Sequence, residues 1–298
     1  MAIISILRNT CDPVINTVER WVRWVAGELP LDTDWTQSTK GSWYIPPRQH
    51  AIEILCLSTA FACSSFYFLE RTILRSGTWI QTLLATFVPL GPATLTEKLL
   101  LTSLVASLGL TLSHKIKRKN VLFMLQPCHV SALLLILVMA WPDKRSAIPQ
   151  LLFNVYLHTQ WGGLAALMFP DLRDHKLVGE TFNFFAEHIL ILVAPFYMIY
   201  SGRYLVLPST PSMALLSFSI YGFFHSPLLH FCALRSGLNL NYLFTPPPLK
   251  VLLKLGPMYR VALYSTAFVA MFATRYLIVD GIMMVLPRKP LTVFSMGL

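Results

Sequence analysis

Seven apolar stretches, each close to the length that crosses a bilayer, leave this chain few folds to choose from. A helix rises about 1.5 Å per residue, so about 20 apolar residues cover the roughly 30 Å of hydrocarbon core. The stretches run over 51–69, 94–113, 121–141, 148–169, 182–200, 213–234 and 261–285. A weaker run, 79–90, ends at Gly91-Pro92 and reads as re-entrant or interfacial. No strand alternation, internal repeat or soluble linker interrupts the pattern. The fold class that follows is all-α, a polytopic transmembrane helix bundle of about seven spans. Residues 1–49 form an N-terminal cytosolic or interfacial segment, 50–287 the bundle, and 288–298 a short C-terminal tail.

Composition agrees. Apolar residues make up 55% of the chain and charged residues 13%, about half the charge that covers a soluble domain. That excludes a disordered or collagen-like chain. Five cysteines without disulfide-framework or CxxC zinc spacing weigh against a secreted disulfide scaffold. The net charge of +10 would suggest nucleic acid in a soluble protein. Here it fits basic loops on the cytosolic membrane face, and no RNA- or DNA-binding module is present, so nucleic acid is not an expected partner. The opening MAIISILRNT lacks the basic start and long apolar run of a signal peptide. In the Trp-rich start (Trp21, Trp24, Trp35, Trp43), 14–29 suits an interfacial helix with Trp21, Trp24 and Val25 on one stripe, or an ordered cytosolic tail.

Lys and Arg set the orientation. The loop His114-Lys115-Ile116-Lys117-Arg118-Lys119 is the densest basic segment and is assigned to the cytosol. Alternating outward from it puts fifteen Lys and Arg on the cytosolic side and eight on the other, with Arg275 inside a span. This predicts a cytosolic N-terminus and a lumenal C-terminus.

Ionisable groups inside spans are costly and raise a functional hypothesis by default. Cys128, His188 and His225 fall at matched depth, roughly 10–14 Å from the cytosolic ends of the third, fifth and sixth stretches at helical rise. A thiol attacks as its thiolate, and a neighbouring imidazole can take its proton. Buried cysteine also packs as a small hydrophobe. Cys128 sits in Gln126-Pro127-Cys128-His129, where Pro127 is expected to kink the third span and strand the carbonyl of Phe123. His129 points about 100° away from Cys128 on a regular helix, which makes His188 the expected base, with Glu180 placed to orient it. Asn239 and Asn241, beside Pro246-Pro247-Pro248, suit donation to a headgroup or oxyanion, or the capping of a turn. Glu53 and Glu97 fall at span ends, where snorkelling is expected. HExxH and Cys/His zinc spacings are absent, and His225 and His230 lie about 140° apart on a helix, so no metal is expected. GxSxG, Walker A and GxGxxG are absent, which weighs against a lipase elbow, a nucleotide engine or a dinucleotide enzyme, and no cofactor is called for.

The chain resembles the transmembrane protein 164 family over about 120–278. The likeness rests on Pro127-Cys128-His129, Leu164-Ala165-Ala166-Leu167-Met168-Phe169-Pro170, Glu180 with Glu187-His188-Ile189, Val193-Ala194-Pro195, Phe224-His225, Asn239-Leu240-Asn241 and Gly256-Pro257-Met258-Tyr259-Arg260, in that order. Where the family has Asn before Pro-Cys-His, this chain has Gln126, which keeps the amide; residues 1–119 match poorly. The resemblance implies a polytopic endomembrane protein of the endoplasmic reticulum or Golgi that moves acyl chains from phospholipid to lysophospholipid. It puts the nucleophile at Cys128 and its histidine at His188; Gln126, His129, Glu180, His225, Asn239 and Asn241 are the supporting or substrate-binding candidates read from the residues themselves. The alternatives are a lipid hydrolase using the same Cys/His pair, and a non-enzymatic lipid-binding or transport protein.

Overall fold

Each apolar stretch folds as helix, and the breaks fall where the sequence removes a backbone donor or a side chain. The structure is a computed structural model that describes residues 2–27, 29, 41–173 and 175–285. Trp35 and the tail expected over 288–298 lie outside the described residues.

In chain order the α-helices are α1 (Ala2–Ala26), α2 (Pro47–Leu69), α3 (Trp79–Thr86), α4 (Leu95–Lys117), α5 (Pro127–Ala140), α6 (Ala147–Thr159), α7 (Trp161–Met168), α8 (Glu180–Ser201), α9 (Pro211–Phe223), α10 (His230–Ser236), α11 (Lys250–Lys254), α12 (Tyr259–Ala273) and α13 (Asp280–Val285). Wide turns at Glu70–Leu74, Phe224–Leu229 and Thr274–Val279 extend or join them. Five continuous helices among the described residues are long and apolar enough to cross a membrane: Pro47–Leu74, Leu95–Lys117, Glu180–Ser201, Pro211–Ser236 and Gly256–Val285. The third and fourth stretches are each divided. The third is a short 3-10 turn, Val121–Leu125, followed by α5; the fourth is α6 and α7, parted at Gln160. The short run after the first span is helical over Trp79–Thr86, where Thr78 caps α3 by accepting from the Gln81 amide.

Pro127 starts a helix instead of kinking one. Gln126 is extended (φ −61°, ψ 144°) and Pro127 takes the first helical position, where a missing amide costs nothing. The carbonyl of Phe123 is not stranded either, because the Gln126 amide donates to it at 3.0 Å. The fourth stretch parts just before Gly162-Gly163, and Gly163 lets α8 come close: a Cβ there would stand 3.1 Å from a methyl of Ile191.

The described residues divide into two compact units, one of those within 1–65 and 219–266, the other of those within 66–218 and 267–285. In the first, α1 lies against α10, with Val22 and Val25 buried and Trp21 stacked on Phe231 at 6.0 Å. The expected stripe is therefore split, since Trp24 is 78% exposed. Glu53 pairs with the buried Arg260 at 3.0 Å instead of snorkelling.

The second unit packs α4, α5, α6, α7 and α8 around Leu104, Leu135, Phe153, Leu157, Ile191 and Met198, all essentially inaccessible. Glu97 is buried here, 2.9 Å from Arg203 Nε and accepting from the Tyr204 hydroxyl at 2.5 Å, so it too is paired instead of snorkelling. Arg275, the cation inside the last span, is fully buried; it pairs with Asp280 and donates to the carbonyl of Leu207 at 2.6 Å.

Candidate active site

Three helices of the second unit build a polar seam inside an apolar bundle. Ser107 and Thr111 lie one turn apart on α4, as do Asn183 and Glu187 on α8, so each pair shares a helix face. The Asn183 amide donates to the Ser107 carbonyl at 3.0 Å and to Thr111 Oγ1 at 2.8 Å, while Ser107 Oγ donates back to Asn183 Oδ1 at 2.9 Å. Thr111 Oγ1 donates in turn to Glu187 Oε2 at 2.6 Å. Every member meets a partner, which is the condition for polar groups at this depth.

The first turn of α5 enters this seam. Glu187 Oε1 lies 2.5 Å from His129 Nδ1. Glu187 is 1% and His129 8% exposed, so a carboxylate and an imidazole share one proton-bearing contact away from water. Cys128 is half-buried, and its thiol lies close enough to His129 and His188 to interact electrostatically with both rings. His188, 1% exposed, donates from Nδ1 to the Phe184 carbonyl at 2.7 Å. That fixes Nε2 as the basic nitrogen of a neutral ring. Among the described residues, Nε2 meets no partner in full hydrogen-bond geometry. The arrangement is a thiol flanked by two imidazoles, one of them backed by a carboxylate.

The structure brings Cys128, His129 and His188 together. Gln126 is half-buried directly before them; its carbonyl accepts from the Val130 amide at 3.1 Å and its own amide is used by Phe123. Glu180 does not orient His188. Its Oε2 accepts from the amides of Lys176 and Leu177 at 3.0 and 3.1 Å, and Oε1 lies 3.5 Å from Arg118 and 3.8 Å from Lys115. Two helical turns separate it from Glu187, and its contacts hold the start of α8 to the end of α4.

His225, Asn239 and Asn241 belong to the first unit. His225 Nδ1 lies 2.7 Å from the Tyr264 hydroxyl, and its ring also meets the Asn241 backbone. Asn239 spends its amide inside its own loop, donating to the carbonyl and hydroxyl of Thr245 and accepting from the amides of Phe244 and Thr245. Asn241 has φ +45° and ψ 42°, a left-handed turn position that Asn tolerates, and its side chain meets Tyr221. Turn capping, the plainer of the two sequence readings, describes Asn239.

The sequence marks Glu187 as an ionisable group inside a span and Asn183 as a neighbour of His188, but assigns neither a role, and nothing in it singles out Thr111. The signal was present as polar pairs at i, i+4 in two otherwise apolar helices, Ser107 with Thr111 and Asn183 with Glu187. His129 was set aside on the 100° rule, yet in the first turn of α5 its ring reaches Glu187 with one edge and keeps the sulfur within reach of the other.

Long apolar helices and a buried thiol–imidazole cluster define a multi-pass integral membrane protein with a reactive-looking polar seam. The model of the TMEM164 family matches residues 45–278, and the chain belongs to that family. It is 32% identical over 157 residues to "Transmembrane protein 164 homolog" of Dictyostelium discoideum, a match covering 52% of this chain and 56% of that one. The matched region thus spans little more than half of that relative's length. No solved structure matches.

Proposed function

We propose that the protein is an acyltransferase that moves a fatty acyl chain from phospholipid to lysophospholipid through a thioester on Cys128. The observation that carries this reading is the position of the thiol, within reach of two imidazoles in a water-poor seam. A buried cysteine used only for packing needs neither. Cys128 also lies in the first helical turn, where unpaired amides favour negative charge.

In this reading the sulfur adds to the ester carbonyl of a phospholipid, the carbon–oxygen bond breaks, and His188 gives a proton to the departing lysolipid oxygen. In the return step His188 takes the proton of an acceptor hydroxyl, the new oxygen adds to the thioester carbonyl, and the carbon–sulfur bond breaks. Gln126 is the side-chain amide next to the site and the proposed oxyanion donor, a contact worth about 3 kcal/mol when well aimed. No cofactor enters.

The basic loop 114–119 supports a cytosolic placement of the N-terminus and of the site, in an endomembrane. A hydrolase would use the same intermediate and give it to water. The test is mass analysis of the full-length protein in liposomes with a phospholipid donor and no acceptor. A hydroxylamine-labile acyl adduct on the Cys128 peptide supports the reading, and phospholipid turnover at full rate by Cys128→Ala refutes it.

A further inference from the structure

Two imidazoles at one sulfur are one more than a thiol needs, and the structure holds them differently. His129 faces a carboxylate through Nδ1, and the other oxygen of that carboxylate is fixed by the Thr111 hydroxyl at 2.6 Å. His188 has no such bond to a carboxylate: its Nδ1 donates to the peptide carbonyl of Phe184, and Glu187 acts on it from farther off. A carboxylate balances the charge of an imidazolium, whereas a carbonyl does so only in part. Glu187 is 1% exposed, and a carboxylate buried this deeply is costly unless a cation neutralises it. The group on its Oε1 that can carry positive charge is the His129 ring.

We infer that Glu187 and His129 form a fixed charge pair that holds Cys128 as its thiolate, while His188 alone exchanges protons with substrate oxygens. Glu187 acts through His129 and is a positioning residue, anchored by Thr111 and, behind it, Asn183. The charges close: thiolate and carboxylate are matched by two imidazolium rings, a neutral set suited to a low-dielectric seam. The protons close as well. Protonated His188 gives its proton to the leaving alkoxide as the thioester forms, and regains one from the acceptor hydroxyl as the thiolate is released. His129 keeps its proton throughout.

Formation of the thiolate does not depend on acyl transfer, whereas its use rests on the reading above, so the two are tested separately. The first measurement is the rate at which iodoacetamide alkylates Cys128 in the full-length protein, without lipid substrate, near pH 6.5 and near pH 9. The groups facing the thiol are His129, His188 and, behind His129, Glu187. Glu187→Gln is expected to slow alkylation about tenfold or more near pH 6.5 and to lose clearly less near pH 9, as rising pH ionises more of an unaided thiol. Thr111→Val, which removes the hydroxyl on the far carboxylate oxygen and with it one acceptor of the Asn183 amide, should give a smaller loss of the same pH pattern. An equal loss at both pH values would mean altered packing or access and would overturn the inference, as would no loss at either. A pH-selective loss in a protein that never forms an acyl adduct would leave the charge pair standing and refute the acyl-transfer reading instead.

Discussion

Glu187 Oε1 and His129 Nδ1 meet at 2.5 Å although the residues are 58 positions apart on different helices. Two local facts allow this contact. Pro127 cannot donate an amide, so α5 begins there and places His129 in its first turn. Asn183, one turn before Glu187, ties α8 to α4 at Ser107 and Thr111. The contact is thus the end of a chain of side-chain bonds across three helices, and its far side is the thiol.

Asn183→Leu removes the amide that joins α8 to α4 and leaves Ser107 and Thr111 without it. Polar contacts between helices in membranes are worth about 0.6 kcal/mol on average and up to about 1.7. A loss of about 1–2 kcal/mol is expected, because three of these bonds go at once and the loss is partly made up by Leu packing. Thermal unfolding in detergent should show a lower midpoint; an unchanged midpoint would mean that the seam does not hold these helices together.

Much of this architecture was legible in the sequence. Runs near 20 apolar residues mark spans because the bilayer fixes their length, and every one is helical. What the runs could not show is where a stretch divides, since the parting at Gln160 and the start at Pro127 depend on what packs beside them. Matched depth groups Cys128 with His188, but it groups His225 with them as well, and His225 belongs to the first unit. The role of His129 is not legible, because the sequence does not show that its side of α5 is the one met by Glu187 of α8. Glu180 was assigned to His188 by sequence nearness, but the amides of Lys176 and Leu177 and the cations Lys115 and Arg118 claim it. Asn239 reads as a donor, yet Phe244 and Thr245, just past the left-handed positions Asn241 and Tyr242, take up its side-chain amide.

Two long helices, Pro47–Leu74 and Leu95–Lys117, separate the N-terminal segment from the basic loop. The proposed topology has each of them cross once, which would put segment and loop on one side. Acceptor sites for glycosylation introduced before Pro47 and within 114–119 should therefore behave alike, both unmodified if that side is the cytosol. Modification of one and not the other would overturn this topology.

His188→Ala should slow acylation of Cys128 by about 100-fold in single-turnover measurements, since general acid–base catalysis commonly supplies 10²–10⁴. Discharge of the preformed thioester to lysophospholipid should slow as well, because the same Nε2 takes the acceptor proton. A variant that loads and discharges at the wild-type rate would remove His188 from the reaction.

The most direct test of the account is to follow the acyl group itself. With purified full-length protein in liposomes and a labelled phospholipid donor, label should appear on Cys128 as a hydroxylamine-labile adduct and pass to added lysophospholipid faster than to water. Cys128→Ala should carry no label and transfer none. Label passing to water first would make the protein a hydrolase. Transfer by Cys128→Ala at the wild-type rate would contradict the thioester and return Cys128 to packing.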